Sequence, residues 1–172
     1  DRLRSLLRSI FATRRHASEI IATVGSVRLR GELTNLLHGS GPVDARIDRC
    51  DHSLAAIEAP VRRDIAGEAL HFFDPSRNWL WTRWMWDPGP RTGALPLVTM
   101  EEFELEGSTA GQTYLTVGTA IAFVNQTGRA VGFTRYGSEK FGIDVYLDSV
   151  YGLHLYTLTP PPTPPAFPKV LP

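Results

Sequence analysis

The sequence predicts an α+β fold in which about four N-terminal helices pack on one face of a five-stranded antiparallel meander sheet. Apolar residues recur with a period of about 3.6 before Asp74-Pro75 and with a period of about two after it. The later segments are separated by short breaks rich in glycine, asparagine and proline, which favour adjacent antiparallel strands. We therefore expect one domain over 1–158, with a helical layer over 1–73 and the sheet over 74–158.

The first predicted helix spans residues 1–24, where apolar side chains recur at alternating steps of three and four, as in a heptad seam. Gly25 ends this helix because glycine readily adopts the backbone conformation of a helix end. Three further helices each begin at a capping or first-turn residue and stop at a break in the pattern. They run from Ser26 to His38, from Asp44 to Ile57, and from Pro60 to about Phe73.

Five strands are expected in the second part of the chain, each a run of alternating apolar residues bounded by turn residues. The first carries all four tryptophans within eight residues, so both of its faces would be apolar. Half of the residues from Thr159 onward are proline, which predicts an extended tail over 159–172. The strands are placed at 78–86, 94–105, 112–125, 129–136 and 141–158.

Composition narrows the classes of function. The 172 residues carry no net formal charge, which does not favour a nucleic-acid partner, although residues 1–30 hold seven arginines. Cys50 is the single cysteine, which excludes an internal disulfide and favours a cytoplasmic protein. No apolar run is long enough to span a membrane, and no nucleotide-binding signature is present. We therefore expect no cofactor and no membrane span.

The face of the sheet that points away from the helices is the predicted binding surface. It combines small residues with large aromatic ones, and tryptophan and tyrosine dominate binding hot spots. Three interpretations stand: these residues complete the core, they bind another protein, or they line a groove for a small apolar ligand. The candidate partner- or ligand-binding residues are Trp84, Trp86, Tyr114, Tyr146, His154 and Tyr156.

Candidate chemical groups are few. Asp64, Glu68 and His71 share one face of the fourth predicted helix at a spacing seen in di-iron bundles, but no second Glu-x-x-His motif accompanies them. We interpret them as a solvated helix edge rather than a metal site. Cys50 is interpreted as an unreactive buried or partly exposed thiol.

The resulting hypothesis is a non-catalytic assembly or accessory subunit. It would bind another protein subunit, or a second copy of itself, through the tryptophan-rich hairpin and the sheet face, with the first helix available for oligomerisation. The alternative is a small-molecule-binding domain, or an enzyme with an aromatic-lined pocket on the sheet. For such an enzyme the titratable candidates on that face are His154, Asp144 and Asp148.

Overall fold

The computed structural model describes residues 2–11, 13–132 and 140–158. Within these ranges the chain forms α-helices and one short 3-10 turn, and it contains no β-strand. The single β-type contact there is an isolated antiparallel bridge between Asp87 and Thr92. The predicted α+β fold, its five-stranded sheet and the division into a helical layer and a sheet are therefore wrong.

Seven helices make up the described structure, all of them right-handed α-helices connected by turns and irregular segments. The 3-10 turn Leu95–Leu97 lies between the fifth and sixth of them. The helices are α1 Arg2–Ser9, α2 Ala17–Val24, α3 Ser26–His38, α4 Val43–Ser53, α5 Ala59–Phe73, α6 Ala110–Ala130 and α7 Gly142–Leu158.

Three of the four predicted N-terminal helices are confirmed. Helix α3 has the predicted bounds, and α4 and α5 begin within one residue of the predicted starts. The predicted end of α4 at Ile57 is wrong, because the helix ends at Ser53. The long first helix is wrong, because the chain is helical only in α1 and α2 and turns between them. At this turn the hydroxyl of the fully buried Thr13 donates to the carbonyl of Leu7, 2.5 Å away. That contact occupies a carbonyl that a continuous helix would use for its own backbone ladder.

Helix α6 occupies the region predicted as the strand 112–125. Thr109 caps it by accepting a hydrogen bond from the backbone N–H of Gln112, at 3.1 Å. A side chain at Gly111 would collide with the backbone of Asp44, so this glycine lets α6 pack closely against α4. Asp48 of α4 fixes the crossing by accepting a hydrogen bond from the Gly111 N–H at 2.7 Å.

The tryptophan-rich segment is an irregular strap, residues 79–94, and not a strand. It runs over α5, where Gly67 has no side chain and the backbone of Trp81 passes directly above it. Trp81 and Trp86 are buried, and the indole N–H of Trp81 donates to the carbonyl of Trp86 at 3.1 Å. The prediction that the tryptophans alternate between two faces of a strand is therefore wrong.

The remaining predicted strands are also replaced. The segment 94–105 contains the 3-10 turn and irregular chain, and 141–158 is almost entirely α7. In the segment 129–136 the first two residues end α6, and 133–136 lie outside the described residues. The proline-rich tail 159–172 also lies outside them.

Candidate functional site

The structure does not place the six predicted binding residues on one face. Trp86 and Tyr114 are 3% and 2% exposed and belong to the core. The hydroxyl of Tyr114 donates to the carbonyl of Trp79 at 3.2 Å, so its polar end is also satisfied inside the protein. Trp84 is half-buried on the strap. The other three, Tyr146, His154 and Tyr156, lie on α7.

Helix α7 carries several of the large apolar side chains that are exposed in the described structure. Its apolar residues are spread around the helix rather than confined to one stripe, yet only Gly142 and Leu147 are buried. From Gly152 to the end of the helix every residue except the half-buried His154 is exposed. We call the exposed large apolar residues the α7 surface: Val145, Leu153, Leu155, Tyr156 and Leu158.

The first half of α7 is attached to the rest of the protein by polar and aromatic contacts. Nε2 of His71 on α5 lies 3.1 Å from Oδ2 of Asp144, and both side chains are largely buried. The two atoms meet off the ideal hydrogen-bond direction, so this contact is an ion pair. The ring centroid of Tyr151 lies 6.4 Å from the ring centroid of Trp84 on the strap. Beyond Tyr151 the helix extends past these contacts.

The polar face of α5 is buried, which corrects the interpretation of a solvated helix edge. Asp64, Glu68 and His71 are 3%, 7% and 3% exposed. They are covered by elements far apart in the chain: the strap over Asp64, the turn after α1 over Glu68, and α7 over His71. Their common face is therefore the place where three separate segments meet.

Each of these three groups has a different partner. Both oxygens of Asp64 are engaged by Arg83, one by its backbone N–H and one by Nε, each at 2.8 Å. Nδ1 of His71 lies 2.8 Å from the carbonyl of Asn78, which accepts a hydrogen bond from the ring. Glu68 accepts one long bond, 3.4 Å, from the backbone N–H of Phe11. Glu68 is therefore the least well satisfied of the three.

Burial shifts the protonation of this face. It raises the pKa of Glu68 to about 7, with the Phe11 N–H opposing the shift and the charge of Asp64 adding to it. Burial also raises the pKa of Asp64, against the opposing effect of Arg83. For His71 burial alone favours the neutral ring, but the contacts with Asp144 and the Asn78 carbonyl outweigh it and raise the pKa.

A pocket of about 310 Å³ opens beside Glu68. Helix α5, the strap, α7 and the turn after α1 all contribute to its walls, so it exists only in the folded arrangement of these four segments. It combines carboxyl groups, one guanidinium, two hydroxyl side chains and three aromatic rings. The lining residues are Phe11, Asp64, Glu68, Thr82, Arg83, Trp84, Asp87, Thr92 and Tyr151.

The other chemical candidates do not assemble into a site. The described residues contain no group of three or more histidine, cysteine or acidic side chains arranged to hold a metal ion. His154 and Asp144 are ten residues apart on one helix, about 15 Å along its axis, so they do not converge on a common point. Cys50 is buried and free, as predicted, and burial raises its thiol pKa to about 12.

The pocket was not predicted from the sequence, because charged residues on a helix face are expected to be exposed to solvent. One signal was available: Gly67 lies in the interior of α5, where glycine weakens a helix unless something must approach closely. The backbone of Trp81 makes that approach. This glycine marks α5 as a central helix, with its neighbours Asp64 and Glu68 covered rather than solvated.

No protein-family model, no curated protein and no solved structure matches this chain. Among the described residues, no helix is both long and apolar enough to cross a membrane.

Proposed function

We propose that this protein is an accessory or assembly subunit that binds another protein through the α7 surface. The observation that carries the proposal is the C-terminal half of α7, which exposes large apolar side chains and lies beyond the contacts that attach the helix to the bundle. Large apolar side chains are most often buried. Burial of this half by a partner removes the exposed apolar area from water.

The charged residues of α7 indicate which charge the partner's surface should carry. The helix carries Asp144 and Asp148 and no lysine or arginine, and Asp148 is exposed. The surface that would complement it is an apolar groove with a basic rim. A helix that lies in such a groove is a common mode of protein recognition. Trp86 and Tyr114, which serve the core, have no place in this interface.

The test begins with the mass of the particle purified from its native source, followed by reconstitution of the complex from isolated components. The double variant Leu153→Gln/Tyr156→Gln removes two large side chains of the α7 surface. We expect its affinity for the companion to fall roughly a hundredfold, from a loss of about 1.5 kcal/mol per side chain.

The matched control is Val27→Gln/Leu115→Gln, which removes two exposed apolar side chains on α3 and α6. It should bind as the wild type does. Equal loss in both double variants, or a particle that contains only this chain as a monomer, would contradict the proposal. A homo-oligomer that the α7 variant dissociates would identify the partner as a second copy and contradict binding to a different protein.

A further inference from the structure

The pocket beside Glu68 has more carboxyl groups than cationic groups in its lining. Asp64, Glu68 and Asp87 contribute three carboxyl groups, and Arg83 contributes the single guanidinium of the lining. Arg83 is committed to Asp64, to which it makes two hydrogen bonds at 2.8 Å. Glu68 and Asp87 therefore have no cationic side chain of the lining left to pair with. A positively charged occupant would balance this part of the pocket.

Polar groups of the pocket are incompletely satisfied. Glu68, 7% exposed, accepts a single bond of 3.4 Å. Thr82 is 4% exposed, and its buried hydroxyl has no hydrogen-bond partner among the described residues. Buried polar groups are nearly always hydrogen-bonded, so the single long bond of Glu68 leaves its carboxyl group able to accept a further donor. An occupant with N–H donors would supply such a bond to Glu68.

Aromatic rings form the rest of the wall. Trp84 and Tyr151 lie with their ring centroids 6.4 Å apart and their planes inclined by 36°. The third ring, Phe11, already has the guanidinium of Arg14 at 5.5 Å from its centroid. Aromatic faces attract ammonium groups, most strongly in tryptophan, and organic ammonium ions are recognised by such rings together with a carboxylate. Trp84 and Tyr151 therefore offer apolar ring surface to an alkyl chain and attract the positive charge at its end, while Phe11 already contacts a cation.

The volume of the pocket favours a small occupant, and its lining does not suit a metal ion. A volume of about 310 Å³ is at the lower end of ligand pockets, so the occupant is small. No cluster of three metal-binding side chains exists among the described residues, and the Arg83 guanidinium lies within the lining. An alkyl chain against the aromatic rings, with its ammonium group at the carboxylate, uses both parts of the wall.

We propose that this pocket binds a small alkylammonium ion, with its ammonium group at Glu68 and its alkyl part against Trp84 and Tyr151. The assignment is independent of the protein partner inferred for the α7 surface. Tyr151 contributes to the pocket from the attached half of α7 and is not part of that surface.

The experiment is a titration of the full chain with butylammonium chloride, followed by calorimetry and by the indole N–H signal of Trp84 in NMR spectra. The neutral probe 1-pentanol has a similar shape without the charge, and potassium chloride controls for ionic strength. We expect saturable binding of butylammonium, no saturable binding of 1-pentanol, and about tenfold weaker butylammonium binding in Glu68→Gln. The exposed Glu102→Gln is the matched control and should bind as the wild type does.

The pH dependence supplies a second test. The charged groups around Glu68 are Asp64 on α5, Arg83 and Asp87 on the strap, and Arg14 beyond Phe11. Binding should weaken as the pH falls below about 7, where Glu68 gains a proton, because butylammonium itself stays charged. By linkage, saturating butylammonium should lower the pKa of Glu68 in the wild type, read from its carboxyl carbon. If Glu68→Gln fails to fold, this pKa measurement on the wild type still tests the proposal.

Three results would overturn the proposal. One is equal binding of butylammonium and 1-pentanol, which would show a purely apolar pocket. Another is undiminished butylammonium binding in Glu68→Gln. The third is an unchanged pKa of Glu68 at the highest butylammonium concentration.

Discussion

His71 and Asp144 connect the central helix α5 to α7 through a largely buried ion pair, with Nε2 and Oδ2 3.1 Å apart. The opposite ring nitrogen of His71 donates to the carbonyl of Asn78 at 2.8 Å. A ring that has an acceptor at each nitrogen is most stable as the imidazolium, which carries two N–H donors. The charge state of one histidine therefore determines how firmly α7 is held.

The ion pair should make stability depend on pH. The pKa of His71 is raised above 6.5 in the folded protein, so the pair contributes fully below about pH 6.5 and its contribution is lost as the pH rises through the folded value. Asp144→Asn should lower the free energy of unfolding by about 3 kcal/mol at pH 6 and by clearly less at pH 9. Urea denaturation at several pH values measures the difference. Asp148→Asn, at an exposed position of the same helix, should change the free energy of unfolding by less than about 0.5 kcal/mol. Equal effects of Asp144→Asn at both pH values would rule out the ion pair.

Glu68 should destabilise the protein at neutral and alkaline pH. Its pKa is raised from 4.5 to about 7, so between these values the unfolded chain ionises while the folded protein keeps the proton. The free energy of unfolding therefore falls across this range and stays low above it. Glu68→Gln should be more stable than the wild type by up to about 3 kcal/mol at pH 8 and nearly equal to it at pH 4.5. Glu102→Gln should show no such pH-dependent gain.

The close approach at Gly67 should be intolerant of a methyl group. A Cβ there meets the backbone carbonyl and nitrogen of Trp81, neither of which can move without shifting the strap. Gly67→Ala should lower the free energy of unfolding by about 2 kcal/mol, as overpacking does. Gly31→Ala, in the interior of α3 with open space around its Cβ, should instead raise it by up to about 1 kcal/mol. A gain in both variants would show that the strap does not lie on Gly67.

The thiol of Cys50 should be unreactive in the native protein. Burial raises its pKa to about 12, with the charges of Glu32 and Asp51 adding to the shift, and the reactive thiolate is correspondingly scarce. An aromatic disulfide reagent at pH 8 should leave the native thiol unmodified and react with it at once in urea. Absorbance of the released thiolate follows the reaction, and Cys50→Ala gives the background. Rapid modification of the native protein would show that the core around α4 opens readily.

The helices that could be predicted are those with clear boundaries in the sequence. Gly25 and Gly39 flank α3, and Pro60 lies in the first turn of α5, so glycine and proline mark these ends. Ser26, expected to cap α3, is its first helical residue and makes no capping hydrogen bond. Helices α6 and α7 could not be recognised in the same way, because their apolar residues satisfy both periodicities. In α6 the buried residues Tyr114, Val117 and Ile121 follow helical steps, while Leu115 and Phe123 supply the alternation that predicted a strand.

The site was predictable only in part. The apolar character of 141–158 was evident from its composition, and it holds for α7 as it would for a strand. The burial of Asp64 and His71 was not evident, because the groups that cover them come from elsewhere: Arg83 is 19 residues further along and Asp144 lies on the last helix. A carboxyl group on a helix face appears solvated until the segments that pack over it are known.

The arrangement of α7 has a consequence for cooperativity. The helices α3 to α6 share one core and should open to hydrogen exchange only when the whole bundle unfolds. Helix α7 contributes little to that core, and beyond Tyr151 its residues are mostly exposed. Its amide protons should therefore exchange through a separate, less costly opening. The bundle would then remain intact while α7 detaches and re-docks.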